Sequence, residues 1–507
     1  MGDNAKMSKS RRKNAILNIS IGYVAQIGIL ILSFVGRRIF LNYLSVDYLG
    51  VNGLYSNVLT ILSLAELGLD TAVLYSLYKP VADDNKPLIN SLVKYFKKIY
   101  SVLAGGVFLV GIMLIPFLKY IINSELPQQD LIIFYVLFLM NTVASYFVAH
   151  KVALLSAYQE QRIPKMVSLG CNLLLQVIHI IVLIIWQNYY AYIIATVLTT
   201  IVNNTVLGIV CNRIHHDVFE VSEVVTFDKK PIFQRIFSTF LYKIGAVLIN
   251  STDNILISVI VSTTAVGLYS NYYTIIAATQ GFIAIITTSL ISGIGNLCAN
   301  GNKERQHELF NMLLLFYHFL GAVGFIGFYL LFNNVILIWL GEQYLFDQWT
   351  VFIIALNFYL TNAISPIWMY REANGIFDQV KYLILIRALI NIVLSVVLGL
   401  LWGVFGIFAA TAISLLLTSF WYEPKILFGN VFKATAATYW LKQLKYFLLS
   451  VISFGCSFAA IYFLHDGFFM LIIKIMIVCI ISALFFGVTN IKSSEFQTLK
   501  ELLIFRR

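Results

Sequence analysis

Apolar stretches long enough to cross a bilayer follow one another along the whole 507-residue chain, separated by short polar segments. The pattern predicts fourteen helices, at roughly 15–40, 48–78, 98–122, 130–152, 166–187, 189–211, 232–260, 265–298, 308–333, 350–371, 380–402, 404–427, 443–464 and 468–489. Their lengths suit spanning, with some tilt or extension beyond the lipid. Charge tests the count. If the N-terminus is cytoplasmic, every second connection should carry the Lys and Arg. The alternate connections do hold 31 of the 35 basic residues, leaving Arg37, Arg38, Lys119 and Lys474 elsewhere. The expected topology therefore has both termini in the cytoplasm.

The same words occur twice. Gly53-Leu54-Tyr55-Ser56-Asn57 recurs in the second half of the chain as Gly267-Leu268-Tyr269-Ser270-Asn271. A second anchor, Ala82-Asp83-Asp84-Asn85-Lys86, precedes Ala299-Asn300-Gly301-Asn302-Lys303 at nearly the same offset, and Tyr100 precedes Tyr317 at the offset of this second anchor. Copies six spans apart keep one orientation, so the expected fold is an all-α polytopic membrane protein with parallel repeats about a pseudo-twofold along the membrane normal. Its expected lobes are residues 1–225 (spans one to six) and 226–430 (spans seven to twelve). Residues 431–507 add an appended pair and a cytoplasmic tail.

Composition removes the soluble classes. The chain is 60% hydrophobic and 12% charged, about half the charge of a soluble domain. Its net charge of +11 reads as basic inner loops beside anionic headgroups, so no nucleic acid is needed as a partner. Five cysteines lie scattered in apolar segments without paired spacing and read as small hydrophobes, with no metal or disulfide implied. No Walker A sequence occurs, and no outer loop is long enough to hold a catalytic platform. Enzyme and ATPase readings both lose ground on these points, and no cofactor is expected.

Ionisable residues within spans are costly to bury and so become candidate sites. Arg37-Arg38, in the outer part of span one, breaks the charge pattern and suits bidentate phosphate contact, against interfacial snorkelling as the plainer reading. Lys243 in span seven and Arg387 in span eleven either bind substrate or snorkel inward. Glu66 and Asp70 share a face of span two, and Asn250, Asp253 and Asn254 form a polar stripe on span seven. Glu66, Asp70 and Asp253 are counter-charges to the arginines, proton or sodium coupling sites, or structural hydrogen-bonding groups. His179 reads as a hydrogen-bonded buried histidine, and Lys474 as an interface anchor. Tyr55 and Tyr269 read as packing residues, with Gly53 and Gly267 allowing helices to approach closely.

Three sequence segments carry a resemblance: Ser33-Phe34-Val35-Gly36-Arg37-Arg38-Ile39-Phe40, Leu64-Ala65-Glu66-Leu67-Gly68-Leu69-Asp70-Thr71-Ala72, and Thr252-Asp253-Asn254-Ile255-Leu256-Ile257-Ser258. Through them and its span count the chain resembles the polysaccharide repeat-unit flippases. These form the lipid-linked-oligosaccharide branch of the superfamily that also holds drug/sodium antiporters and the peptidoglycan lipid flippase. The resemblance implies translocation of undecaprenyl-pyrophosphate-linked oligosaccharide to the outer leaflet of a bacterial cytoplasmic membrane by alternating access. It implies basic residues of the first and seventh helices lining the cavity, here Arg37, Arg38 and Lys243. It also implies a lipid-tail groove at the appended pair. Membrane lipids, a polysaccharide polymerase and glycosyltransferases are the expected partners. A cation-coupled drug exporter of the same architecture stays open as an alternative, and a membrane polymerase as a remoter one.

Overall fold

The computed structural model describes residues 27–503 apart from 67–68, 222, 224, 300–302, 378 and 466. The basic N-terminal arm, the start of span one and part of the second repeat anchor lie outside the described residues, as does the side chain of Asn250. Among the described residues every regular element is helical.

The helices in chain order begin with α1 (27–43), α2 (Val46–Leu62), α3 (Leu69–Ala82), α4 (Lys86–Leu114), α5 (Leu118–Ile121) and α6 (Gln128–Ala157). They continue with α7 (Arg162–Trp186), α8 (Tyr189–Ile214), α9 (His216–Phe219), α10 (Lys230–Ile260), α11 (Thr263–Ala299) and α12 (Lys303–Trp339). The remainder are α13 (Gln348–Asn374), α14 (Lys381–Leu417), α15 (Ser419–Leu427), α16 (Ala437–Tyr462), α17 (Phe468–Asn490) and α18 (Ser494–Leu503). Short polar caps start several of them. Asn85 accepts from the Leu88 amide at 3.1 Å ahead of α4, and Asp347 accepts from the Trp349 and Thr350 amides at 3.0 Å ahead of α13.

Ten helical segments are long and apolar enough to cross a membrane among the described residues, against the fourteen expected. Part of the difference is a hairpin counted once. The 52-residue segment Lys381–Phe432 would be about 78 Å long if straight, far beyond a hydrocarbon core of about 30 Å. It turns at Gly403, whose φ of 60° and ψ of −135° are not helical. Just beyond, a Cβ on Gly406 would sit 1.9 Å from the Leu398 carbonyl oxygen, so glycine alone permits this return. The predicted span 48–78 is broken as well. A 3₁₀ turn at Ser63–Glu66 separates α2 from α3, where the polar side chains of Ser63, Glu66 and Asp70 interrupt the apolar run.

Contacts divide the chain into two compact units. Unit 1 holds Met1–Tyr48, Val58–Tyr120 and Glu125–Phe240, and unit 2 holds Leu49–Asn57, Ile121–Ser124 and Leu241–Arg507. Within unit 1, Tyr189 packs edge-on against Phe40 and Phe134 and donates its hydroxyl to the Tyr48 carbonyl at 3.2 Å. Within unit 2, the segment carrying the first repeated word packs on α10 and α11. A Cβ on Gly50 would fall 1.9 Å from the Thr263 carbonyl oxygen, and one on Gly53 would lie 3.2 Å from Val266. The glycines thus serve close helix approach, and Tyr55 is wholly buried. Lys474, expected at an interface, is 5% exposed and packs inside unit 2.

Charged groups at the helix ends pair conventionally. Lys86 meets Asp217 at 2.7 Å, and this hydrogen bond holds the Asp217 carboxyl below its usual range. Lys442 meets Glu495 at 2.6 Å. Burial raises the Glu495 carboxyl, but the Lys442 hydrogen bond and its own backbone amide outweigh burial and hold it at about 2.

Candidate substrate and coupling sites

The unit 1 arginines sit on α1, whose Gly36 lets the helix lie against Gln176 and Ile180 of α7. Adjacent helical residues diverge by about 100°. Accordingly Arg37 turns inward and is half-buried beside Tyr192, whereas Arg38 is exposed. Nearby, His179 stacks on Tyr192 with ring centroids 3.6 Å apart. Its Nε2 lies 3.2 Å from the Tyr192 carbonyl oxygen and 3.0 Å from the Thr196 hydroxyl. His179 is thus the hydrogen-bonded buried histidine that its sequence context suggests.

Glu66 and Asp70 flank the break between α2 and α3, with Glu66 half-buried and Asp70 exposed. Tyr100 of α4 donates to Asp70 Oδ1 at 2.7 Å. The Tyr146 hydroxyl of α6 lies beside Ser63 and Glu66. Sequence spacing pointed to the two carboxylates and not to the tyrosines, because their helices are brought together by packing alone.

Unit 2 gathers the other candidates around the crossing of α10 and α14, where a Cβ on Gly245 would meet Ile384 at 2.6 Å. Asp253 Oδ2 accepts from Thr411 at 3.2 Å, and Thr411 in turn accepts from Asn391 at 3.1 Å. Arg387 lies close enough for its charge to act on Asp253, yet the Asp253 Oδ1 and Arg387 Nε atoms are buried without a hydrogen-bond partner. Lys243 is half-buried on α10, two residues before Gly245. Behind them, Arg371 donates to Glu423 at 2.6 Å in an ion pair whose side chains are 10% and 2% exposed. The sequence reading placed Arg371 among loop cations and passed over Glu423. A signal existed: Glu423 is the single acidic residue between Asp378 and Asp466.

The structure therefore brings Asp253 and Arg387 together, and Glu66 and Asp70 together. Arg37 and Arg38 belong to unit 1, while Lys243 and Arg387 belong to unit 2. An apolar groove of about 450 Å³ also lies in unit 2, lined from α11, α12 and α17 by Phe282, Ile286, Val335, Ile475 and Cys479 among others. Its walls offer carbon and almost no polar surface, which suits a hydrocarbon chain.

Comparison with known proteins gives the fold and the family. The solved lipid II flippase MurJ in an inward closed conformation superposes with a TM-score of 0.69 at 14% identity, covering 94% of this chain and 99% of that one. An inward-facing multidrug resistance MATE family transporter gives 0.60 at 12% identity, covering 78% and 96%. A point mutant of the Vibrio cholerae MATE transporter VcmN gives 0.54 at 12% identity, covering 86% and 98%. No curated protein matches the sequence. The family described as polysaccharide biosynthesis protein matches residues 15–291, more than half of the chain and every candidate except Arg387. The chain is a multi-pass membrane protein of the polysaccharide biosynthesis protein family, built on the fold shared by MurJ and the MATE transporters.

Proposed function

We propose that the protein is a flippase that carries undecaprenyl-pyrophosphate-linked oligosaccharide repeat units from the inner to the outer leaflet of a bacterial cytoplasmic membrane. Residues 1–225 and 226–430 act as the alternating lobes, 431–507 supplies the appended pair, and both termini lie in the cytoplasm. The observation that carries the reading is the arginine pair on α1, with Arg37 half-buried and Arg38 exposed in a family that serves polysaccharide biosynthesis. A pyrophosphate entering a low-dielectric cavity needs fixed cations, and the guanidinium fork matches its oxygens bidentately. Lys243 and Arg387 are the proposed further anion contacts, and Glu66, Asp70 and Asp253 the coupling or counter-charge groups. The apolar groove of unit 2 accepts the polyprenyl tail. Polymerase and glycosyltransferases are the proposed neighbours in the same assembly.

The second reading, a cation-coupled drug exporter, is favoured by the MATE likeness together with the carboxylates at Glu66 and Asp70. Complementation separates the two. In cells whose repeat-unit flippase is deleted, the wild-type gene restores surface polysaccharide, whereas Arg37→Ala or Arg38→Ala abolishes it at unchanged membrane abundance. Lysine at either position restores it incompletely. Full polysaccharide export by the double alanine variant removes this site, and drug resistance without polysaccharide rescue favours the exporter.

A further inference from the structure

We infer that the outer end of unit 2 carries a sugar-binding pocket, walled by Trp349 and Trp402 with Asp347 as its hydroxyl acceptor. The inference rests on the flippase reading for the source of the sugar, though not for the chemistry of the pocket.

A cavity of about 470 Å³ lies between the start of α13 and the turn of the α14 hairpin, lined by Asp347, Trp349, Thr350, Trp402 and Phe405 among others. Its volume falls in the range of small-ligand sites, about 300–1,000 Å³. The connector that brings Asp347 there is pinned to α11 and α12. Tyr272 donates to Asn333 Oδ1 at 2.6 Å, the Phe346 amide donates to the Tyr272 hydroxyl at 2.8 Å, and Asn333 Nδ2 donates to the Phe346 carbonyl at 3.0 Å. Trp402 stands beside Gly403, where α14 turns back on itself. Both walls are thus fixed before a ligand arrives, which lowers the entropy lost on binding.

An indole offers a flat apolar face to the C–H bonds of a pyranose ring and an N–H to its hydroxyls. Trp349 is 72% exposed and Trp402 57%, so each has surface to offer. Each is also braced edge-on by a phenylalanine three residues further on, Trp349 by Phe352 and Trp402 by Phe405. Interfacial anchoring explains exposed tryptophans, but it does not explain a carboxylate in the same cavity. Asp347 Oδ1 accepts from the Trp349 and Thr350 amides at 3.0 Å, and Oδ2 accepts from the Thr350 hydroxyl at 2.5 Å. Oδ2 keeps a further lone pair in a fixed place, where a sugar hydroxyl can donate.

Charge selects sugar over phosphate. Among the described residues no Lys or Arg lines the cavity, and the connector carries Glu342 and Asp347. A phosphate would meet a carboxylate here and no cation. An organic cation finds Asp347 already engaged by three donors at a helix N-terminus, whose dipole offsets its charge. Basic residues mark the opposite end of these helices: Lys303 starts α12, Arg371 lies in the last turn of α13 and Lys381 starts α14. The positive-inside rule therefore sets the pocket on the outer face. Trp349 also walls an apolar groove of about 460 Å³ with Phe325, Tyr329 and Phe454. A sugar still attached to a membrane lipid finds carbon on one side of this indole and the polar pocket on the other.

The test is saturation-transfer difference NMR of the full-length protein in lipid nanodiscs, with glucose, galactose and N-acetylglucosamine as probes at millimolar concentration. Wild type should transfer saturation to the ring protons of at least one sugar. Trp349→Ala and Trp402→Ala, with the melting temperature unchanged, should each weaken binding about tenfold. Asp347→Asn keeps the helix cap and should weaken it less. No transfer to any of the three sugars in wild type overturns the inference, as does transfer that both tryptophan variants leave unchanged. Choline chloride added as a competitor should not displace the sugar; displacement would assign an organic-cation site and also overturn it. The flippase reading fails separately. Sugar binding by a protein that restores no polysaccharide rejects that reading and leaves the pocket standing, whereas polysaccharide export without sugar binding does the reverse.

Discussion

Tyr100 and Tyr317 stand at matching positions of the repeated sequence pattern, yet the first holds an exposed aspartate and the second a threonine. Charge placement in the rest of the two units differs in the opposite sense. Unit 2 buries the ion pair Arg371–Glu423 and sets Arg387 close to it, whereas the Lys86–Asp217 pair of unit 1 lies at the surface. Unit 1 leaves Asp70 exposed and Glu66 half-buried at the break between α2 and α3. Unit 2 uses charge as internal structure.

The contrast breaks first at the buried pair. Arg371→Ala leaves buried Glu423 without its ion-pair partner and is expected to cost about 3–5 kcal/mol, seen as a marked fall in thermal stability in detergent. A loss too small to measure would mean that the pair is not buried as described. The tyrosine joints come next. Tyr100→Phe removes a bond to a carboxylate, worth about 1.5–3 kcal/mol, and Tyr317→Phe a neutral one worth about 0.5–1.5 kcal/mol. Equal losses in denaturant unfolding would erase the proposed difference between the copies. Exchanging the partners sharpens the point further: Asp70→Thr should leave folding intact and abolish gradient-driven transport, measured against counterflow exchange, which should persist.

Smaller effects follow at the surface. Lys86→Ala should leave the melting temperature unchanged within error, because a solvated ion pair gains little over hydration. At α18, Glu495 has a folded pKa of about 2, below its ordinary value of about 4.3. Its stabilising pairing with Lys442 is therefore fully present above the ordinary value and is lost as pH falls towards 2. Lys442→Ala should flatten the acid limb of a stability–pH profile over that window, and an unaltered limb would remove the pair's role.

Hydropathy made the helical membrane class legible, because bilayer thickness and backbone hydrogen bonding act on every residue of a span. The break in the second predicted span was not legible, since an apolar window averages over Ser63, Glu66 and Asp70. The hairpin at Gly403–Gly406 was foreseen as two spans, 380–402 and 404–427, which meet at that turn. Of the candidate sites, Glu66 and Asp70 were visible because helical spacing sets their common face. Tyr100, Tyr146 and Thr411 were not, because each reaches its carboxylate from another helix. Glu423 could have been found by asking why one acid stands alone in so long a basic and apolar stretch.

The most direct test of the flippase reading is leaflet-specific detection of lipid-linked oligosaccharide in vesicles containing the purified protein and an imposed proton gradient. Wild type should bring substrate to the opposite leaflet, and the Arg37→Ala/Arg38→Ala double variant, equally folded, should not. Equal appearance of substrate with both proteins would contradict the account.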